Sequence, residues 1–190
     1  MATKYRKSIR DGVVIKYGKK HFSWEMYYGL KKKVWHRLGN MCPDRDEMKV
    51  IYSLPESTVR WFSAWYEGRF VGSLYCYRTP SLYTLKGTIL NYDFPKLNIN
   101  LRLYVESIRS ACEEGMKYYD FGSTPPPGSS HYAWKLTFNG SPRPIDYFEK
   151  VLDPLRVLVR KSLIRGSNLL GKECTYKYKT LNPLVRWLEE

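Results

Sequence analysis

The sequence is short of cysteine, histidine, acidic residues and long apolar runs, and each shortage removes a class of function. Its four cysteines, Cys42, Cys76, Cys112 and Cys174, stand more than 30 positions apart each time. A zinc knuckle or a redox motif needs a close pair, so these are read as buried free thiols. The three histidines, His21, His36 and His131, are equally scattered. Neither a metal site nor a histidine-based triad is suggested, and no metal is expected. No stretch of about 18 apolar residues exists, and the opening MATKYRKSIRDG has no apolar signal-like segment, so a cytoplasmic protein is expected.

Acids number 18 against 32 Lys and Arg, a net charge of +14. The excess is terminal. Residues 1–40 hold 11 Lys/Arg against two acids, residues 41–150 hold 13 against 12, and residues 151–190 hold eight against four. Such ends attract polyanions such as RNA, a phosphate-bearing cofactor or an anionic membrane, or they are a solvated lysine-rich face. With 190 residues and 43% apolar content there is material for one buried core. The expected division is a basic N-terminal arm over 1–20, a single domain over 21–152, and a basic helical extension over 153–190 packed on it.

Residues 13–15 are a short apolar run inside basic sequence, which reads either as a marginal strand or as part of a loose arm. Over 23–38, Met26, Tyr27, Leu30, Val34, Trp35 and Leu38 recur at helical spacing, with Lys31, Lys32, Lys33 and Arg37 on the other face. A short helix is expected over 44–54. Residues 59–66 and 70–77 are rich in aromatic and β-branched residues and form a hairpin through Glu67-Gly68-Arg69, and 82–90 is a third strand. Leu101, Tyr104, Val105, Ile108, Ala111 and Cys112 line one face of a helix that Gly115 ends. A strand over 117–121, a proline-rich loop over 122–128, a short helix over 129–138 and a strand over 142–151 follow. Asp153-Pro154 starts a basic amphipathic helix to about residue 166, and Asn182-Pro183 opens a last one. Strands alternating with helices indicate a mixed sheet with helices on its faces.

The third strand leads to a helix whose free N–H groups make an anion site, with Asn98 and Asn100 as caps and Lys96 adding charge. Here the residues become recognisable. Leu97-Asn98-Ile99-Asn100-Leu101-Arg102-Leu103-Tyr104-Val105-Glu106-Ser107-Ile108, then Lys117-Tyr118-Tyr119-Asp120-Phe121-Gly122-Ser123, then Tyr132-Ala133-Trp134-Lys135-Leu136-Thr137-Phe138-Asn139-Gly140-Ser141-Pro142 resemble, in order, three motifs of Fem-type and BioF2-like transferases. A weaker likeness runs through Trp65-Tyr66-Glu67-Gly68-Arg69-Phe70-Val71-Gly72, so the resemblance covers roughly residues 22–150.

The resemblance implies an α/β (α+β) chain of the GNAT fold: a single twisted mixed sheet with splayed central parallel strands, 82–90 and 117–121, and helices on both faces. It implies an N-acyltransferase moving an acyl or aminoacyl group from acyl-CoA or aminoacyl-tRNA to an amine acceptor. Acetyl-CoA-dependent members commonly carry a Gln/Arg-x-x-Gly-x-Gly/Ala loop before the helix, and Phe94-Pro95-Lys96-Leu97-Asn98-Ile99-Asn100 has no glycine. Fem-type relatives take aminoacyl-tRNA but usually have two GNAT units. Acyl transfer needs donors for a tetrahedral oxyanion and loss of an ammonium proton. Lys135 and Asp120 are therefore the catalytic candidates: Lys135 for the oxyanion or a donor phosphate, Asp120 to orient the amine. Lys96, Asn98, Asn100 and Glu106 are the donor or phosphate candidates, with Glu106 holding the loop, and Ser123 and Tyr132 the substrate candidates. Two other readings stay open: a non-catalytic RNA-binding module on this scaffold, using tRNA or another RNA, and a peripheral membrane acyltransferase held by 153–166.

Overall fold

Aromatic and β-branched residues dominate three long strands that make the centre of the sheet: β2 (Val59–Tyr66), β3 (Arg69–Arg78) and β4 (Leu82–Leu90). The computed structural model describes residues 1–39, 42, 44–123 and 127–143. β2 and β3 are antiparallel, with Trp61 opposite Tyr75 and Phe62 opposite Leu74. Their two-residue turn, Glu67-Gly68, has φ of 49° and 73°, the paired positive values of a tight hairpin whose twist matches its strands. β3 and β4 are antiparallel, with an irregularity between Tyr75 and Cys76 that leaves Lys86 unpaired in the register. β1 (Val14–Tyr17) adds to β2, and β5 (Tyr118–Asp120) adds in parallel to β4, so the order is β1-β2-β3-β4-β5.

Alternation along the strands feeds two cores. Trp61, Tyr75 and Ile89 pack with Phe22, Tyr27, Leu30, Val34 and Met48, from the approach to α2 (Trp24–Arg37), α2 itself and α3 (Arg45–Ser53). Their odd-even neighbours Phe62, Leu74 and Cys76 pack with Ile99, Leu103, Tyr104 and Ala111 of α4 (Ile99–Glu113). Each fully buried aliphatic or aromatic side chain contributes about 1.5–3 kcal/mol relative to exposure. On the first face the aromatic rings interlock, with Trp61 stacked on Tyr75 at 4.6 Å and edge-on to Tyr27 at 4.9 Å. α5 (Ser130–Leu136) packs on the second face through Trp134, edge-on to Tyr104 at 4.5 Å.

Most strands and helices fall where the sequence pattern puts them, and four details differ. The stretch read as a basic arm contains α1 (Ala2–Arg10) and β1, and Val13 between them is a core residue. Met1–Leu38 and Cys42–Ser141 belong to one compact unit. Lys31, placed on the solvent face of α2, is 7% exposed, whereas Met26 and Leu38, placed on its apolar face, are exposed. Among the cysteines Cys76 is buried, Cys42 intermediate and Cys112 exposed, because Cys112 lies beyond the strip of α4 that meets the sheet. The strand expected over 142–151 lies almost wholly outside the described residues, as do the helices from 153 and 183 and Cys174.

Candidate functional site

β4 and β5 pair only at Leu82 with Tyr118, Tyr83 with Tyr119 and Thr84 with Asp120. Beyond that register β4 continues to Leu90, while β5 ends at Asp120. Just past its end Gly122, at φ 71°, still lies against β4, so closely that a β-carbon would sit 2.8 Å from the Leu85 carbonyl oxygen. The Asp120 carboxylate fixes the bend by accepting from the Gly122 N–H at 2.8 Å. The parallel register is thus short, three pairs at the start of β4, and the rest of β4 to Leu90 has no partner in β5.

Where β4 ends, the chain passes through a 3-10 turn (Pro95–Leu97) into α4. Asn98 is the N-cap, in the left-handed conformation at φ 53°, and no side chain caps the helix. The Asn98 amide donates instead to the Lys96 carbonyl at 3.1 Å, so the expected capping by Asn98 and Asn100 is absent and the first-turn N–H groups are left to other acceptors. A cavity of about 350 Å³ opens beside them, lined by Lys4, Leu90, Asn91, Tyr92, Phe94, Pro95, Asn98, Ile99, Asn100, Leu101 and Trp134. It contains no acidic lining residue, and α4 has no acid in its first turn, so the electrostatic bias is toward an anion. Lys96 is exposed on the adjacent turn but does not line the cavity.

The proposed site residues divide into three groups. Asn98 and Asn100 come together at the cavity. Asp120, Ser123 and Lys135 come together around the β5 bend, where the Lys135 ammonium donates to the carbonyls of Phe121 (2.7 Å), Gly122 (3.2 Å) and Ser123 (2.8 Å). Lys135 is only 6% exposed, and burial pulls its pKa below the ordinary lysine value against the opposing pull of Asp120. Tyr132 is half-buried on α5, while Ser123 is exposed.

Glu106 is brought to neither place. It is fully buried and accepts from Tyr5 Oη and Tyr17 Oη, each at 2.7 Å, and from the guanidinium of Arg109, and it forms an ion pair with Arg102. Its part is to tie α1 and β1 to α4. Burial, then the hydrogen bond to Glu106, raises both phenol pKa values, which keeps the phenols neutral donors. Behind β5, Tyr119 Oη meets Ser107 Oγ at 2.7 Å and Cys76 Sγ at 3.7 Å, and burial pushes the Cys76 thiol up to about 12. That thiol is protonated at neutral pH and is no nucleophile.

Sequence reasoning missed Lys4, Tyr92 and Phe94 as cavity residues. The two aromatic residues just before a proline in the loop after β4 were the available signal; nothing in the local sequence marks Lys4. No curated protein sequence matches the chain. Residues 43–136 match the family model described as Acetyltransferase (GNAT) domain. Among solved structures, the ribosomal-protein-alanine N-acetyltransferase from Brucella melitensis biovar Abortus 2308 superposes with a TM-score of 0.58 at 13% identity, covering 74% of this chain and 99% of that one. AAC(6')-Iy in complex with the bisubstrate analog CoA-S-monomethyl-acetylneamine gives 0.53 at 17% identity, with 73% and 99% coverage. FemX gives 0.60 at 14% identity, covering 71% of this chain and 51% of FemX. At these identities the structural likeness establishes the fold.

Proposed function

We propose that this chain, which has the GNAT fold and carries a GNAT acetyltransferase domain over residues 43–136, is an N-acyltransferase that moves an acyl group from a coenzyme A thioester to an amine. The observation that carries the reading is the parallel β4–β5 register that ends after three pairs, with β4 running on alone to an acid-free cavity at the start of α4. The pyrophosphate of the donor would sit at the cavity, and its acyl arm would lie along the unpaired stretch of β4. From Leu90 back to Leu85 is about 16–17 Å at about 3.3 Å per residue, the reach of an extended donor arm.

The amine lone pair attacks the thioester carbonyl, the tetrahedral oxyanion collapses, and the carbon–sulfur bond breaks to release the coenzyme A thiolate. An ammonium proton must leave to solvent before attack, the attacking nitrogen loses a second proton as the intermediate collapses, and the departing thiolate takes that one up; the exposed carboxylate of Asp120, at the end of the parallel register, would orient the incoming amine. Ser123 and Tyr132 are the residues proposed for the acceptor. Lys135 serves the same step by bracing the backbone at 121–123, since its ammonium is already shared among three carbonyls. The glycine-poor loop before α4 is compatible with a phosphate because Asn98 itself adopts the left-handed conformation that glycine usually supplies.

Aminoacyl-tRNA is the second donor that the Fem-type resemblance implies, and the basic character of α1 and α2 favours it. The test is release of free thiol from acetyl-CoA in the presence of a panel of primary amines, together with calorimetric titration of coenzyme A. Amine-dependent thiol release supports the proposal. Absence of coenzyme A binding at millimolar concentration would overturn it.

A further inference from the structure

Two features take no part in the chemistry above: a helix that precedes the first strand, and a carboxylate buried completely within α4. They are joined. Tyr5 of α1 donates to Glu106 at 2.7 Å, and the Arg102 guanidinium that also pairs with Glu106 lies over the Tyr5 ring at 4.6 Å. Tyr17 of β1 supplies a second 2.7 Å hydrogen bond to the same carboxylate. A buried carboxylate without such donors would be strongly unfavourable, so the cluster holds its members at fixed positions as a unit.

The residue beside Tyr5 is Lys4, and Lys4 lines the cavity. Of the neighbouring cations on α1, Lys7 is committed to Asp11 at 2.5 Å. The cavity therefore has a wall contributed by a helix outside the β4–α4 connection, and that wall includes a lysine beside a space without acidic lining. A structural role for α1 would need no lysine there, and the docking itself is made by Tyr5 and the buried Ser8.

We infer that α1 is the outer wall of the donor site, that Lys4 contacts the phosphate groups of the coenzyme A donor, and that Glu106 is a positioning residue acting through Tyr5. This rests on the donor reading above and adds to it a specific cation and the element that presents it. The donor's phosphates would lie between Lys4 and the first turn of α4, while its pantetheine arm would run away from Lys4 along β4.

The experiment is calorimetric titration of the full chain with coenzyme A and, separately, with pantetheine, which lacks the phosphates. Lys4→Ala should weaken coenzyme A binding about 5- to 10-fold, the effect of one charge-assisted contact, and leave pantetheine binding unchanged. Lys4→Arg should restore most of the loss. Tyr5→Phe keeps the ring beneath Arg102 but removes the hydrogen bond to Glu106, and should raise the Michaelis constant for the acyl donor severalfold with kcat nearly unchanged. Wild-type affinity for coenzyme A in both Lys4→Ala and Tyr5→Phe would overturn the inference while leaving the donor reading in place. Failure of the wild-type chain to bind coenzyme A overturns both.

Discussion

An ammonium whose hydrogens are shared among backbone carbonyls behaves as a brace, and Lys135 has three such carbonyls within 3.2 Å. Lys135→Ala leaves those acceptors to solvent or to nothing, so we expect a loss of about 1–3 kcal/mol, read as a lower denaturation midpoint, together with reduced transfer activity. Activity lost at unchanged stability would instead assign Lys135 to the oxyanion. Lys31 is the contrasting case. Its ammonium is buried, with Met48 Sδ at 3.3 Å, Tyr27 Oη at 3.5 Å and no carboxylate in salt-bridge contact among the described residues. Burial is the first cause of its lowered pKa, with Cys42 and Glu47 opposing. A lysine pKa lowered by folding means that the unfolded chain binds more protons between the folded value and the ordinary 10.5, so stability rises with pH across that window. We expect Lys31→Met to be more stable than the wild type at pH 7 by about 1–2 kcal/mol, and its advantage to shrink as pH approaches 10. Urea titrations at pH 7, 8.5 and 10 decide this; a constant or widening gap would refute it. Neither burial was legible in the sequence. Lys31 stands among Lys32 and Lys33 in a charge run, and only packing of α3 against α2 covers the first of the three.

At the scale of elements, the strands and α4 could be read from the sequence because apolar periodicity marks them: alternation along β2 and β3 feeds two cores, and of the stripe read on α4 Tyr104 and Ala111 join the core, together with Ile99 and Leu103. α1 could not be read this way. Its nine residues contain only Tyr5 and Ile9 as large apolar side chains, Ile9 is exposed, and docking depends on a hydroxyl reaching a carboxylate 101 residues away. A polar contact of that sequence separation leaves no local period. The parting of β4 and β5 lies between these cases, since the parallel pairing follows from the order of elements but its length is set by one backbone contact. Gly122 is the residue responsible. In Gly122→Ala the new β-carbon meets the Leu85 carbonyl at 2.8 Å in a conformation that costs an alanine about 1–2 kcal/mol, so the bend must shift away from β4. We expect a less stable chain with a raised donor Michaelis constant, measured by thermal melting and by initial rates at varied acetyl-CoA. Kinetics identical to the wild type would mean that the bend at 122 does not shape the donor channel.

The whole molecule carries +14, and the described fold decides which of those charges a polyanion could use. Of the three successive lysines on α2, Lys31 is buried and Lys33 is paired with Asp93 at 2.7 Å, leaving Lys32. On α1, Lys4, Arg6 and Arg10 are exposed, while Lys7 is paired with Asp11. A nucleic acid lying on this surface would displace one counterion per phosphate neutralised, and its observed affinity would fall with a logarithmic salt slope of about 0.7–0.9 per contact. Coenzyme A at the site proposed for it, between the α4 amides and Lys4, would make few such contacts. We therefore expect a shallow salt dependence for coenzyme A, and for total tRNA a steeper one with no preference over duplex DNA of equal length, the behaviour of a basic surface without a built nucleic-acid site. Fluorescence titrations from 50 to 300 mM salt (roughly a tenfold-or-more loss for several phosphate contacts) provide the comparison. If instead tRNA binds at micromolar affinity or better, prefers tRNA to duplex DNA, and loses that preference when Lys4, Arg6 and Arg10 are replaced by serine, the acyl donor is an aminoacyl-tRNA and α1 guides its acceptor end to β4.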